Sequence, residues 1–209
     1  MAPKLTPKVI LEGTRLTQKT DIAFALNENP RVVGPRKYRY HSPIISAEWC
    51  GFTNEPWGRG LINFDEHEVP MAMETYGAWA RIFELQRYYS WMVDRFHLST
   101  AVYQELHRGR RFDFGWLEER LLPLNFRLVL CIRRAETFPA ARTQRLVVSG
   151  NPSQYDDLNH FIAEQELFRA KRKGSRLISM ELDVSNLNSV EAADKIADWL
   201  EATGGLHLD

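Results

Sequence analysis

Short apolar runs alternate with segments of helical spacing along most of the chain. The runs that predict buried strands, of which residues 126–132 form the clearest, lie at residues 8–11, 31–33, 90–93, 126–132 and 177–182. Helical spacing is found at residues 19–27, 70–89, 99–105, 116–122, 161–171 and 190–200, with Asn188 or Ser189 as a cap for the last helix. Strands that alternate with helices indicate a parallel sheet with helices on both faces. We therefore expect one α/β domain over residues 1–209 with a sheet of about five strands.

Composition narrows the class of protein. The 209 residues suit one ordinary domain, and a hydrophobic fraction of 44% excludes wholesale disorder. Lys plus Arg and Asp plus Glu are 27 each, which argues against a large basic field but leaves room for local patches. The sequence contains no long apolar run of membrane-spanning length and no secretory stretch near its start. Its two cysteines and six histidines show no disulfide or metal spacing, so we expect a soluble, cytoplasmic protein with no membrane partner.

The turn after the first apolar run is a candidate phosphate-binding loop. Ligands of open α/β sheets bind at the carboxyl ends of the strands. Against the pattern G-x-x-x-x-G-K-[ST], the turn supplies Gly13, Lys19 and Thr20 but has Gln18 at the second glycine, where a side chain crowds the phosphates or strains the turn. In such loops the lysine spans the β and γ phosphates, the hydroxyl holds Mg²⁺, and backbone amides cradle the oxygens. The predicted nucleotide-binding residues are Gly13, Thr14, Arg15, Thr17, Gln18, Lys19 and Thr20.

An Asp-Arg pair follows the third apolar run. Asp94 is placed to hold Mg²⁺ through water, and Arg95 to bind a phosphate or the charge that develops on it, although a lone pair of this kind is also typical of a surface ion pair. The longer string resembles the D-R-x-x-x-S-[ST]-x-A-Y-Q segment of thymidylate kinases. The matching positions are Asp94, Arg95, Ser99, Thr100, Tyr103 and Gln104, with Val102 in place of alanine.

Neighbouring segments resemble the same family in the same order. Glu12 and Gly13 match its E-G opening, Arg81 lies in a segment similar to its A-x-R helix motif, and Arg142 and Arg145 fall where the family has an arginine-bearing lid, at about residues 139–155. The resemblance covers nearly all of residues 8–200. It implies a P-loop kinase fold and ATP-dependent phosphoryl transfer with Mg²⁺ to a nucleotide or nucleoside-type acceptor.

The resemblance also implies roles for individual residues. The implied catalytic residues are Lys19, Asp94, Arg95, Arg142 and Arg145, with Thr20 and Asp94 at the metal. The implied acceptor-binding residues are Arg36, Tyr38, Glu55, Arg81, Ser99, Tyr103 and Gln104.

Departures from the family pattern leave the acceptor open. Arg15 replaces the aspartate of the family's E-G-x-D loop, exchanging a group suited to a hydroxyl and a metal for one suited to phosphate. The family's T-R-E-P-G-G string is not found after the second predicted strand, where Arg36 is the positional equivalent of its arginine and Glu55 a candidate site element.

Three functions therefore stand side by side. The first is phosphoryl transfer to a nucleoside or nucleotide. The second is a kinase of a hydroxyl on a modified nucleoside or on a base in DNA, such as a hydroxymethyl pyrimidine, with Glu12, Glu48, Glu55 and Asp94 as candidate bases. Basic stretches at residues 36–41 and 107–111 keep a DNA acceptor open. The third, suggested by Gln18, is an inactive nucleotide- or nucleic-acid-binding module, and a homodimer is left open in each case.

Overall fold

Five parallel strands form one sheet in the part of the chain that the structure describes. The computed structural model describes residues 4–34, 42–55 and 58–208. The strands are β1 (Lys8–Glu12), β2 (Ile44–Ser46), β3 (Trp91–Asp94), β4 (Phe126–Ile132) and β5 (Ile178–Asp183). Their order across the sheet is β2-β3-β1-β4-β5, and every neighbouring pair is parallel. The predicted parallel α/β sheet is confirmed.

Helices cover both faces of the sheet. They are α1 (Lys19–Glu28), α2 (Pro30–Val33), α3 (Val69–Leu85), α4 (His97–Arg108), α5 (Gly115–Leu121), α6 (Phe138–Leu146), α7 (Leu158–Gly174) and α8 (Ser189–Ala202). Side chains alternate between the faces along a strand. Val9 and Leu11 of β1 therefore pack with α1 and α8 in one core, while Ile10 packs with α3, α4 and α5 in the other.

One predicted strand, at residues 31–33, is wrong. The segment Pro30–Val33 is the short helix α2, because the Asn29 side chain accepts a hydrogen bond from the Arg31 amide at 3.0 Å and Pro30 occupies the first helical turn. These start signals outweigh the strand preference of the two valines. The second strand is β2, which begins after residues 35–41, a stretch outside the described part of the chain.

The other predicted elements are confirmed with shifted ends. The helix expected at residues 70–89 ends at Leu85, and those expected at 99–105 and 161–171 are longer at both ends, as α4 and α7. Asn188 caps α8 as predicted, since its side chain accepts from the Val190 and Glu191 amides at 2.9 Å. None of the helices in the described ranges combines the length and apolarity that crossing a bilayer requires.

A charged side chain is buried where β1 begins, at the end of the sheet away from the predicted loop. Lys8 is fully buried, and its Nζ donates to the Thr6 carbonyl at 3.2 Å. Burial lowers the pKa of Lys8 to about 8, and the nearby Arg87 and Lys4 act in the same direction. At neutral pH Lys8 is still mainly charged, but its charged form is less stable in the folded protein than in the unfolded chain.

This burial predicts a pH-dependent stability difference. The pKa of Lys8 is about 8 in the folded protein against an ordinary value of 10.5, so the unfolded chain binds more protons between those values and stability rises with pH there. We expect Lys8→Met to be more stable than wild type at pH 7, with an advantage that shrinks by about 2 kcal/mol by pH 10. Urea unfolding at the two pH values measures this difference. An advantage that does not change with pH would contradict it.

Candidate functional site

The pairing of β1 with β3 brings the two predicted site segments together. Leu11 lies opposite Asp94 in the sheet, and the Arg95 amide donates to the Leu11 carbonyl at 2.9 Å. The loop after β1 and the Asp94–Arg95 pair therefore leave the sheet side by side. Across this gap the Thr20 hydroxyl donates to Asp94 Oδ2 at 2.5 Å.

Glu12 fastens the start of α4 to the end of β1. Its Oε1 accepts hydrogen bonds from the Phe96 and Leu98 amides, each at 3.0 Å, and its Oε2 accepts from the Ser99 hydroxyl at 2.5 Å. Carboxylates are favourable at helix N-termini, where backbone amides are unpaired. Glu12 is fully buried, and these contacts give it a structural role.

Glycine is required at residue 13. Its φ is 137°, and an added Cβ would lie 2.2 Å from the carbonyl oxygen of Cys131 on β4. Any larger residue would push the loop away from the sheet. Glycine is thus needed at residue 13 for a steric reason, namely the close approach of the loop to the backbone of β4.

Gln18 has a left-handed backbone conformation, which glycine adopts without strain. Its φ is 56° and its ψ is 22°, and the residue directly precedes α1. Non-glycine residues in this region are strained by about 1–2 kcal/mol. The side chain at the second glycine position of the pattern therefore comes with a strained backbone.

Lys19 is bent back over the loop. Its Nζ donates to the Thr14 carbonyl at 2.6 Å and to the Thr17 hydroxyl at 3.1 Å, and the residue is 6% exposed. Burial lowers the pKa of Lys19 to about 8, and the nearby Arg95 also lowers it. The helix α1 begins at Lys19, and the Gln18 side chain makes no capping hydrogen bond to it, so among the described residues no cap competes with an anion for its first amides.

A cavity of about 240 Å³, called the loop cavity below, opens beside the loop. Charged side chains dominate its described lining. The cations are Arg15, Lys19, Arg95, Arg133 and Arg145, and the carboxylates are Asp21, Glu48 and Asp94. This excess of cations suits a polyanionic ligand.

A second cavity of about 590 Å³, called the aromatic cavity below, lies on the other side of Glu48. Its ring-bearing lining residues are Trp49, Tyr103, His107, His160 and Phe161. The rings of Tyr103 and His107 are 4.3 Å apart, and those of His107 and His160 are 4.9 Å apart. Flat rings of this kind suit a ligand that contains a planar ring.

Three of the described residues line both cavities, namely Arg15, Glu48 and Arg95. Glu48 Oε1 lies 3.2 Å from Arg95 Nε and 3.7 Å from an Arg15 guanidinium nitrogen. The Arg95 guanidinium holds the pKa of Glu48 below its ordinary value, against the opposing effect of burial and with a further contribution from Arg15. The junction of the cavities is therefore an ionised carboxylate between two cations.

Predicted acceptor residues divide into three groups. Ser99, Tyr103 and Glu55 line the aromatic cavity, whereas Arg36 and Tyr38 lie outside the described residues. Arg81 and Gln104 are in the described lining of neither cavity.

The contacts of Arg81 and Gln104 explain their placement. The Arg81 side chain is 64% exposed on α3 and pairs with Glu84 at 3.3 Å. Gln104 is fully buried, and its Nε2 donates to the Ile62 and Phe64 carbonyls at 3.0 Å. Gln104 thus holds the segment before α3, and Arg81 lies on the outer side of α3.

The predicted lid arginines also separate. Arg145 lines the loop cavity, and its Nε donates to the Tyr155 hydroxyl at 3.1 Å. Arg142 does not line that cavity, because its guanidinium donates to the Tyr155 carbonyl and pairs with Asp156, both at 2.8 Å. The geometry gives Arg142 the position of a group that joins the two halves of the predicted lid.

Arg133, which no sequence motif singled out, also lines the loop cavity. Its Nε donates to the Leu16 carbonyl at 2.9 Å, and its own amide donates to Gln165 at 2.7 Å. Its position in the sequence, directly after β4, could have indicated this, because β4 is the strand next to β1. A cation at the carboxyl end of a strand beside the loop strand is placed to meet the same ligand.

Thr20 and Asp94 fit a magnesium ion. Asp94 Oδ2 accepts from Thr20, while the buried Oδ1 has no hydrogen-bond partner among the described residues. Within the described ranges, no group of three or more His, Cys, Asp or Glu side chains is placed to hold a metal ion. The ion would thus take its other ligands from phosphates and water, as Mg²⁺ commonly does.

The second basic stretch makes contacts within the chain. Arg108 pairs with Asp65 at 3.1 Å, Arg111 pairs with Glu105 at 3.1 Å, and Arg110 donates to the neutral Phe64 carbonyl at 2.7 Å. Two of its three arginines therefore have a carboxylate partner. The first stretch, residues 36–41, lies outside the described part of the chain.

Comparison with known proteins identifies the fold. No family model matches the sequence, and no curated protein matches it. The YorR protein of Bacillus subtilis, solved in complex with phosphorylated GDP, matches in fold with 19% identity and a TM-score of 0.63, over 96% of this chain and 99% of that one. An unliganded sugar kinase of Janibacter matches with 11% identity and a TM-score of 0.52, over 96% and 98% of the two chains.

Thymidylate kinase of Candida albicans is also similar, with 14% identity and a TM-score of 0.49, over 96% of this chain and 93% of that one. The chain has the α/β fold of the P-loop kinases, as the sequence predicted.

The left-handed conformation of Gln18 predicts that glycine stabilises the loop. We expect Gln18→Gly to raise the free energy of unfolding by about 0.5–1 kcal/mol, because glycine adopts this conformation without strain. Gln18→Ala is the matched control, since it removes the side chain but keeps the strain. Urea unfolding of both variants measures the difference, and equal stabilities would show that the backbone conformation does not matter.

Proposed function

We propose that the protein is an ATP-dependent phosphotransferase, in which the γ-phosphate passes from a nucleotide in the loop cavity to a nucleoside- or nucleotide-type acceptor in the aromatic cavity. The observation that carries this proposal is the junction, where Arg15, Glu48 and Arg95 alone of the described residues line both cavities. Phosphoryl transfer requires donor and acceptor to meet at one point with cations around it.

The loop would hold the phosphates of the donor. Free amides at the start of α1 and the Lys19 ammonium supply charge and hydrogen bonds, and Lys19 has only neutral oxygens as hydrogen-bond partners in their place. Arg133 and Arg145 add two further cations to the lining of the cavity. Support for a nucleotide on this fold comes from YorR, which was solved with phosphorylated GDP.

Thr20 and Asp94 would hold Mg²⁺ with the donor. When bound, the ion would neutralise charge on the phosphates. Asp94 and Thr20 both line the loop cavity, so these two side chains would place that charge at the phosphate end of the donor.

Arginines would stabilise the transferred group. Arg95 is 8% exposed, and its backbone is fixed by β1, which makes it a preorganised cation at the junction. Arg145 approaches from the predicted lid at residues 139–155, and Arg142 ties α6 to the Tyr155 segment of that lid. We propose that this segment closes over the donor.

The acceptor that we propose is a nucleoside or nucleotide, with no more specific identity. The aromatic lining supports a base, whereas a specific thymidylate site loses Arg81 by its placement. Against an inactive module, Lys19, Thr20 and Asp94 all line the loop cavity, which is the arrangement that the proposed transfer needs. No contact within the described ranges supports a DNA acceptor over a free nucleoside.

Removal of the loop ammonium should abolish turnover. We expect Lys19→Met to lower kcat by at least about 100-fold, because a preorganised charge on the transferred group is lost, while thermal stability is retained or raised. Lys8→Met is the matched control, since Lys8 is also a buried lysine with a pKa lowered to about 8 but lines neither cavity. Transfer of label from γ-labelled ATP measures turnover. Near-normal turnover in Lys19→Met would refute the proposal.

Removal of the Asp94 carboxylate should abolish most of the stabilisation that Mg²⁺ with ATP gives to the fold. For wild type we expect Mg²⁺ with ATP at 100 times its Kd to stabilise the fold by about 2.7 kcal/mol, and Asp94→Asn to lose most of this gain. Asp183→Asn, a change at the end of β5 outside both cavity linings, should keep it. Thermal unfolding with and without Mg²⁺ gives the answer, and full stabilisation of Asp94→Asn would exclude Asp94 as a ligand.

A further inference from the structure

We propose that the acceptor is an uncharged, ring-bearing molecule that reacts through a hydroxyl group, and that Glu48 removes the hydroxyl proton. This inference rests on the proposed function and deepens it, because it names the reacting group of the acceptor and the catalytic base.

Glu48 is held firmly at the point where the cavities meet. It lies in the 3-10 turn Ala47–Trp49 directly after β2, and its amide donates to the Ser46 hydroxyl at 3.2 Å. The preceding Ala47 amide donates to the Arg95 carbonyl at 3.1 Å. The turn is therefore fixed to the same residue whose guanidinium pairs with the Glu48 carboxylate.

One oxygen of Glu48 is available to an acceptor. Both ion pairs, with Arg15 and with Arg95, reach Oε1. Oε2 forms no hydrogen bond to a described residue, and the side chain is 39% exposed toward the cavities that it lines. An ionised carboxylate with a free oxygen is a proton acceptor in position.

The other candidate carboxylates are engaged elsewhere. Glu12 accepts three hydrogen bonds at the start of α4, and Asp94 faces Thr20 in the loop cavity. Glu164 accepts from the Thr14 hydroxyl. Glu55 lines the aromatic cavity but not the loop cavity. Glu48 is thus the carboxylate of the described residues that can touch both reactants.

Charge pairing in the aromatic cavity argues against a phosphate acceptor. Besides the two junction arginines, Arg59 is the only arginine or lysine in its described lining, and it pairs with Glu68 at 2.9 Å and Asp65 at 3.4 Å. A phosphate at the junction would meet the Glu48 carboxylate, whereas a neutral hydroxyl would donate to it. Each arginine of the described lining therefore already has a carboxylate within 4 Å, which an acceptor phosphate would have to displace or repel.

The proposed step is balanced without a further reactant. The acceptor oxygen forms a bond to the γ-phosphorus, and the bond from that phosphorus to the β,γ-bridging oxygen breaks. The electron pair of the broken bond stays on the departing nucleoside diphosphate. The hydroxyl proton passes to Glu48 Oε2, from which water removes it after the phosphorylated product leaves.

The bond in the product tests the proposal directly. The enzyme is given Mg²⁺, ATP and a panel of nucleosides, including hydroxymethyl pyrimidine nucleosides, together with their 5′-monophosphates, and phosphorus NMR distinguishes the products. We expect a phosphomonoester on a nucleoside hydroxyl. A phosphoanhydride formed on a monophosphate, or ATP binding without a phosphomonoester from any member of the panel, would overturn the proposal.

Substitution of Glu48 tests its role. We expect Glu48→Gln to lower kcat by about 100- to 10,000-fold with ATP affinity unchanged within about threefold, and Glu48→Asp to recover part of the rate. Glu84→Gln is the matched control, because Glu84 also pairs with two arginines but lines neither cavity. Wild-type kcat in Glu48→Gln would exclude Glu48 as the base.

Failure of this inference is distinguishable from failure of the proposed function. Phosphoanhydride formation that depends on Lys19 but not on Glu48 would leave the phosphotransferase intact and remove only the hydroxyl acceptor. Absence of both ATP binding and transfer in the wild-type protein would remove the proposed function itself.

Discussion

The pairing of β1 with β3 is the constraint on which the site depends. Leu11 opposite Asp94, with the Arg95 amide bonded to the Leu11 carbonyl, places two segments that are far apart in sequence next to each other. A shift of one residue would turn Asp94 to the other face of the sheet. Glu12 then ties the start of α4 to the same strand end, so the position of Arg95 is set from both sides.

This arrangement also buries charged side chains at the candidate site. Burial brings the pKa of Lys19 to about 8, so its ammonium remains the main form at neutral pH but is less stable than that of a lysine in water. An anionic ligand would relieve that penalty. The cations at the junction differ, because Arg15 and Arg95 share the Glu48 carboxylate. The lining of the loop cavity therefore carries an excess of positive charge, whereas at the junction the Glu48 carboxylate offsets part of the positive charge of the two arginines.

Local signals in the sequence predicted most of the fold and several of the residues that line the two cavities. The strand at residues 126–132, the loop at Gly13 and the Asp94 string depend on nearby residues and could be found without coordinates. The strand predicted at residues 31–33 failed because a cap at Asn29 and a proline outweigh two valines. Glu48 could be named only as one of four candidate bases, because its place depends on the strand order. Arg81 was misplaced because the resemblance could not show which side of α3 it occupies.

The central claim is tested most directly by a crystal structure with Mg²⁺ and a non-hydrolysable ATP analogue. The account predicts the triphosphate in the loop cavity, with Lys19 turned from the Thr14 carbonyl onto the phosphates, the metal ion against Thr20 and Asp94, and the terminal phosphate beside Arg95 and Glu48. A nucleotide seated elsewhere, with Lys19 still bonded to Thr14, would contradict it.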